Sequence, residues 1–173
     1  LYICSLFITM STIGYGFFFK KIANLNLNSN NLGLTGIFGL FFLSILSSYS
    51  HLFFAHNYLH NILIIFLGLF FLLFYIKKLS INFFSEFKYI LIIFSLIFIF
   101  LIISKTNEDF PYYHLPNTIQ FAQQKLQFGL GNLNHGFKHI SSLFLLMSLN
   151  YLPYFEVYLF NLTNFLFYLF LIL

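Results

Sequence analysis

Residues 62–78 read ILIIFLGLFFLLFYIKK, an apolar run with no charge until it stops on Lys77-Lys78. Nothing in the run alternates and nothing in it marks a turn. In lipid every backbone N–H and C=O must be satisfied inside the segment, so such a run predicts a membrane-spanning α-helix. A span needs about 20 mostly apolar residues. The same pattern recurs outward in both directions. Leu34 to Tyr49 is a second span, with serines in it, and Leu1–Phe19 is another that stops at Lys20-Lys21. On the far side, Lys88 precedes Tyr89–Ser104, which is nearly pure Ile, Leu and Phe. Leu143–Tyr151 and Val157–Leu173 are apolar and are broken by Pro153 and Glu156. The expectation is an all-α polytopic transmembrane bundle of five spans, with 143–154 either a short extra span or a re-entrant piece, forming one domain over 1–173.

Composition agrees. The chain is 60% hydrophobic and 7% charged, with a mean hydropathy of +0.89. Ordinary soluble domains carry about 25% charged residues, so this chain lacks the polar surface to fold in water. Phe accounts for 29 residues, Trp is absent, and all eight basic residues are lysine, as an AT-rich gene would encode. The net charge of +4 comes from lysines at span ends, which suits orientation in a bilayer and argues against a nucleic-acid partner. The single cysteine, Cys4, excludes an internal disulfide or multi-cysteine metal site. Gly14 and Gly16, and Gly36 and Gly39, suit close helix packing without GxxxG spacing. The sequence begins at Leu1 and ends at Leu173 within apolar runs, so it is expected to be a piece of a longer chain.

Lysine placement orients the bundle. With alternating spans, Lys20, Lys21, Lys77, Lys78 and Lys88 share one side, and Lys105, Lys125 and Lys138 share the other. The positive-inside rule makes the first side cytoplasmic. Residues 105–142, KTNEDFPYYHLPNTIQFAQQKLQFGLGNLNHGFKHISS, are then an extracytoplasmic loop. Within it Leu115, Ile119, Ala122 and Leu126 fall at helical spacing. Pro116 lies near the start and Gly129 just past the end. That predicts an amphipathic helix, lying in the membrane interface or packed on the bundle.

This loop is where chemistry is expected. Charges are costly in lipid, about 2.5–3.5 kcal/mol each at the bilayer centre, yet Glu108 and Asp109 sit side by side at the mouth of a span. A carboxylate there can act as general base or hold a divalent cation beside a lipid-borne substrate. Adjacent carboxylates cannot both enter one site from regular structure. Asp109 is the expected catalytic group, with Glu108 beside it, because FPYYHLP follows and fixes its direction. His114 can orient a hydroxyl or bind a diphosphate, and Tyr112 and Tyr113 suit a sugar platform or an aromatic belt.

An acidic residue in an outer loop followed by an interfacial helix resembles the type-C glycosyltransferase superfamily, which uses lipid-phosphosugar donors. More closely, Asp109, Tyr113-His114-Leu115, Gly129-Leu130-Gly131-Asn132, Lys138 and Ser141-Ser142 resemble the pattern of an uncharacterised family of bacterial multi-spanning membrane proteins. The resemblance covers residues 109–142. It implies an inner-membrane protein that transfers a sugar from a polyprenyl-phosphate donor to a cell-envelope acceptor. It further implies Asp109 as catalytic carboxylate, substrate contacts at Tyr113, His114 and Asn132, and Lys138, with Lys105 or Lys125, at the donor phosphate. Lysine stands at 138 where that pattern would have arginine, and the acidic loop follows the fourth span rather than the first.

Other readings compete. An O-antigen polymerase or ligase would rely on arginine, and this chain has none. A transporter or flippase would show an internal repeat with broken helices, and the sequence shows no such repeat. His56 and His60, like His135 and His139, are spaced i, i+4, but no HExxH glutamate lies between them and no metal site is expected. Glu156 is a secondary candidate, facing a water-filled cavity.

Overall fold

The computed structural model describes residues 1–25, 31–76, 82–103, 108–133, 137 and 141–173, and among these the chain is helical with no β-strand. Four long helices come first: α1 Tyr2–Ile22, α2 Leu32–His51, α3 Tyr58–Ile76 and α4 Asn82–Ile103. A π-helical turn at Phe110–His114 runs into α5, Leu115–Gln123. Short helices α6 (Leu130–Leu133) and α7 (Ser142–Ser148) follow, then a 3-10 turn at Glu156–Leu159 and α8, Leu162–Ile172. The chain divides into two compact units. One contains Leu1–Leu43, Ile65–Ile103 and Asn164–Leu173; the other contains Ser44–Ile64 and Ser104–Thr163.

In the first unit α1 is the central element, buried from Ile8 to Phe17. Its small residues let other backbones come close. A Cβ on Gly14 would collide with the carbonyl of Gly68 in α3, and one on Gly16 with the carbonyl of Thr35 in α2. Gly39 of α2 approaches the carbonyl of Thr12 in the same way, so the expected glycines do serve close packing. The buried hydroxyls are satisfied within the helix, Thr9 Oγ1 donating to Ser5 O (2.8 Å) and Thr12 Oγ1 to Ile8 O (2.9 Å), which lets them leave water without an orphaned donor. Rings fill the remaining space: Phe18 stacks on Phe71 with centroids 4.2 Å apart. On α4 the buried residues Ile90, Phe94, Phe98 and Leu101 recur at helical spacing, and Phe94 and Phe98 pack against Tyr2 and Phe165.

Opposite faces stay apolar. Leu59, Leu63, Phe66, Phe70 and Leu73 form an exposed stripe along α3, a surface suited to lipid rather than water. The helices α1, α2 and α3 are long and apolar enough to cross a membrane. The apolar stretches Phe87–Ile103 and Glu156–Ile172 are shorter. The span expected over Val157–Leu173 is not one continuous α-helix: α8 begins only at Leu162, after the 3-10 turn. The cause lies just upstream, where Pro153 cannot continue a helix and Tyr154 and Glu156 take positive φ values of 67° and 38°. At seven residues, α7 is too short to cross a bilayer.

The second unit packs α5 on α7 around Phe121, Phe144, Leu145, Met147 and Phe160, with Leu115 and Ile119 against that core. A helix, α5, does occupy the start of the stretch where one was expected, and its buried residues are Asn117, Thr118, Phe121 and Ala122. Asn117 and Thr118 can be buried because Asn117 Nδ2 donates to Tyr113 O (2.7 Å) and Thr118 Oγ1 to His114 O (2.8 Å). The helix ends at Gln123, since Gln124 is extended (φ −135°, ψ 143°), so Leu126 lies beyond it. Gly129 serves a later turn instead, at φ 91°, a conformation that favours glycine.

Candidate functional site

Asn61 and His56 organise the second unit. Asn61 is fully buried in the first turns of α3, and its Nδ2 donates to the carbonyls of His56 (2.8 Å), Ser148 (2.8 Å) and Tyr151 (2.9 Å). Two hydrogens serve three acceptors, so one bond is shared. His56, also fully buried, lies between two hydroxyls, with Nδ1 at 2.6 Å from Ser148 Oγ and Nε2 at 3.0 Å from Ser50 Oγ. Ser148 gives its hydroxyl hydrogen to Leu145 O (2.8 Å). Ser50 Oγ likewise donates to Ser47 O (3.2 Å), so the neutral ring donates to one serine oxygen and accepts from the other serine, whose hydrogen turns to the ring. Burial, reinforced by neighbouring His60 and His51, pushes the His56 pKa down to about 3, so the ring is neutral at pH 7.

Three imidazoles run in a row. His51 meets His56 at 5.0 Å edge to face, and His56 stacks on His60 at 4.8 Å and 10°. Stacked rings direct their nitrogen lone pairs along separate planes, not toward a common ion. His56 lies before α3 rather than on it, so the spacing of four from His60 does not place the two on one helix face. Among the described residues no three His, Cys, Asp or Glu side chains form a metal-binding group. His135 and His139 lie outside the described residues.

Beside this row is a cavity of about 470 Å³, lined by His51, Asn117, Phe121, the carboxamides of Gln120, Gln124 and Gln127, Lys125 and Asn132. Its segments are tied together by backbone bonds, Leu126 N to His51 O (3.1 Å) and His56 N to Phe121 O (3.0 Å). Gln120 Nε2 donates to Gln124 Oε1 (2.8 Å) and Gln127 Oε1 (3.4 Å). His51 is 3% exposed, and among the described residues its Nδ1 has no hydrogen-bond partner. A buried polar atom left so costs about 1–3 kcal/mol.

The residues expected from the sequence are dispersed. Glu108 and Asp109 are exposed, with Asp109 at the head of the helical run that becomes α5. The run rises about 1.5 Å per residue, which puts Asp109 on the order of 15 Å from Gln120; neither carboxylate lines the cavity. Tyr113 and His114 are half-buried and pack on Phe144, at 5.3 and 4.9 Å. Asn132 does line the cavity. Lys105 and Lys138 lie outside the described residues. Glu156 is exposed and accepts from Tyr58 Oη at 3.0 Å, and Tyr58 in turn stacks on Tyr151.

His51, Asn61, Asn117, Gln120 and Ser148 carry much of this unit, and the sequence singled out none of them as site residues. One available signal was Asn61, a carboxamide at the head of a lipid-soluble run, where a polar group persists only with a partner. No curated protein and no solved structure shows significant similarity to the chain. Residues 1–173 all match one family model, and the chain belongs to that family, described as a domain of unknown function (DUF8201).

Proposed function

We propose that this chain is part of a bacterial cytoplasmic-membrane protein that transfers a sugar from a polyprenyl-phosphate donor to a cell-envelope acceptor. Its working surface is the unit containing Asp109, facing the extracytoplasmic side. The observation that carries the reading is the helical run from Asp109 to Gln123. It bears an exposed carboxylate at one end and a carboxamide-lined cavity at the other. In this reading Asp109 takes the acceptor proton or holds a divalent cation, with Glu108 adding negative charge beside it. The developing phosphate charge must be met by cations close to Asp109. Lys125 lines the cavity, about 15 Å along the run from Asp109, and is assigned to binding; the resemblance assigns Lys138, with Lys105, to the phosphate. The half-buried His114 and Tyr113 then support the run that aims Asp109, and Asn132 contacts substrate from the cavity. The partners are the lipid bilayer and the lipid-linked donor.

The sidedness is supported by two independent features. Lysines stand in the last turn of α1 and in the second turn of α4, and the positive-inside rule favours the cytoplasm for them. The α2–α3 connection and the segment after α4 fold into one compact unit, as segments on a common opposite side would. Asp109→Asn in the producing cell tests the activity. The expected result is loss of the envelope glycan with accumulation of the lipid-linked sugar; a variant that keeps full glycan overturns the reading.

A further inference from the structure

We infer that the cavity bounded by His51, the end of α5 and α6 is a saccharide-binding site, taking a neutral, hydroxyl-rich ring. The inference deepens the glycosyl-transfer reading and rests on it for biological context, though its test needs no turnover. The lining selects the ligand class. It contains five carboxamides, those of Asn117, Gln120, Gln124, Gln127 and Asn132, and no carboxylate. Carboxamides donate and accept at once, which matches sugar hydroxyls, whereas a cation would need carboxylates or a dense set of carbonyl oxygens. One lysine, Lys125, is too little charge for a site built around a diphosphate.

The polar atoms are already ordered for this purpose. Gln120 holds Gln124 and Gln127 through their oxygens, a string that leaves the amide hydrogens of both out of those bonds. His51 also lines the cavity, and at 3% exposure its ring is held in place by packing. Apolar faces are present too. Phe121 is buried at the wall, and Phe128 at the rim is 94% exposed, offering a ring face to the C–H side of a pyranose. The volume of about 470 Å³ falls in the range of small-molecule sites, roughly 300–1,000 Å³.

The test uses the whole chain in lipid nanodiscs prepared without glycoside detergents. Methyl α-D-glucopyranoside, methyl N-acetyl-β-D-glucosaminide, inorganic phosphate and a polyprenyl-phosphate hexose placed in the disc are titrated separately, with saturation-transfer NMR as the readout. Saturable binding of a glycoside or of the lipid-linked hexose is expected, weakened roughly tenfold or more by Gln120→Leu and by Gln124→Leu. Leu96→Ala, on an exposed part of α4 away from the cavity, should leave binding unchanged. Binding of free glycoside assigns the cavity to an acceptor, and binding of the lipid-linked hexose alone assigns it to the donor; both uphold a saccharide site. Absence of saturable binding by every sugar probe overturns the inference, as does phosphate binding alone or sugar binding indifferent to both glutamine substitutions. Sugar binding that persists while Asp109→Asn retains full glycan would reject the transfer reading and keep the site.

Discussion

His56 Nδ1 lies 2.6 Å from Ser148 Oγ, across 92 positions of sequence, between two fully buried side chains. The bond joins the loop ahead of α3 to the end of α7, and Asn61 reinforces the same junction through the Ser148 and Tyr151 carbonyls. Charge could not do this work in an apolar setting, where an unpaired ion is expensive and neutral donors and acceptors can satisfy one another in full.

Asn61→Leu keeps most of the volume and removes the shared donor. The carbonyls of His56, Ser148 and Tyr151 then lose a partner inside the protein, at a cost of about 2–3 kcal/mol. Thermal unfolding of the purified protein should show a lower midpoint, and limited proteolysis should open residues 52–57 or 149–155 first. An unchanged midpoint would mean that the carbonyls find other donors.

Acid should weaken the same junction. His56 has its folded pKa lowered to about 3, against about 6.5 for an unfolded histidine. Between those values the unfolded chain binds a proton that the folded chain refuses, so stability rises with pH there and is lost as pH falls. The slope approaches about 1.4 kcal/mol per pH unit for one such group. The groups facing it are His51, His60, Ser50 and Ser148, and the histidines disfavour its charge further. The difference between wild type and His56→Asn in unfolding midpoints from pH 7.5 to 4.5 isolates this group; parallel profiles would contradict the assignment.

Gly14→Val should force α1 and α3 apart, because the added side chain has to occupy the place of the Gly68 carbonyl. Overpacking of this kind costs about 1–3 kcal/mol or more. Leu96→Ala, on an exposed part of α4, is the matched control and should change little. Comparing their unfolding midpoints in the same lipid or detergent checks the ordering.

The long helices were legible because backbone satisfaction in lipid imposes a long uninterrupted apolar run, and lysines punctuate it, as at Lys20-Lys21 after α1. Pro153 and Glu156 announced a break, but the positive φ values that make α8 start at Leu162 depend on surroundings. The helix after Asp109 was legible as a helix and misleading as a face. Asn117 and Thr118 fall outside the stripe of Leu115, Ile119, Ala122 and Leu126, yet each donates from its side chain to the preceding turn and is buried. His51 and Asn61 flank apolar runs in the sequence. Their meaning depends on Phe121, Ser148 and Tyr151, and no local pattern encodes a partner 87 or 90 positions away. Asn132 was noted from its motif, whereas the glutamines that share its cavity looked like the outer face of an amphipathic helix.

Tyr112 should lie outside the cytoplasm. It is 86% exposed, just after Asp109, in the unit that also contains the α2–α3 connection. Ile22, 60% exposed and next to Lys20-Lys21, should lie inside. If α1 to α4 cross in alternation, the two positions fall on opposite sides by parity, and the positive-inside rule sets which is which. Residues 1–173 contain one cysteine, Cys4, so Cys4→Ser in residues 1–173 gives a thiol-free background for Tyr112→Cys and Ile22→Cys. A membrane-impermeant maleimide added to intact cells should label position 112, and position 22 only after permeabilisation. Reversed labelling would invert the orientation and move Asp109 to the cytoplasm, removing an extracytoplasmic acceptor from consideration. Labelling of both positions from one side would instead break the parity, which would require one of α2 to α4 not to cross.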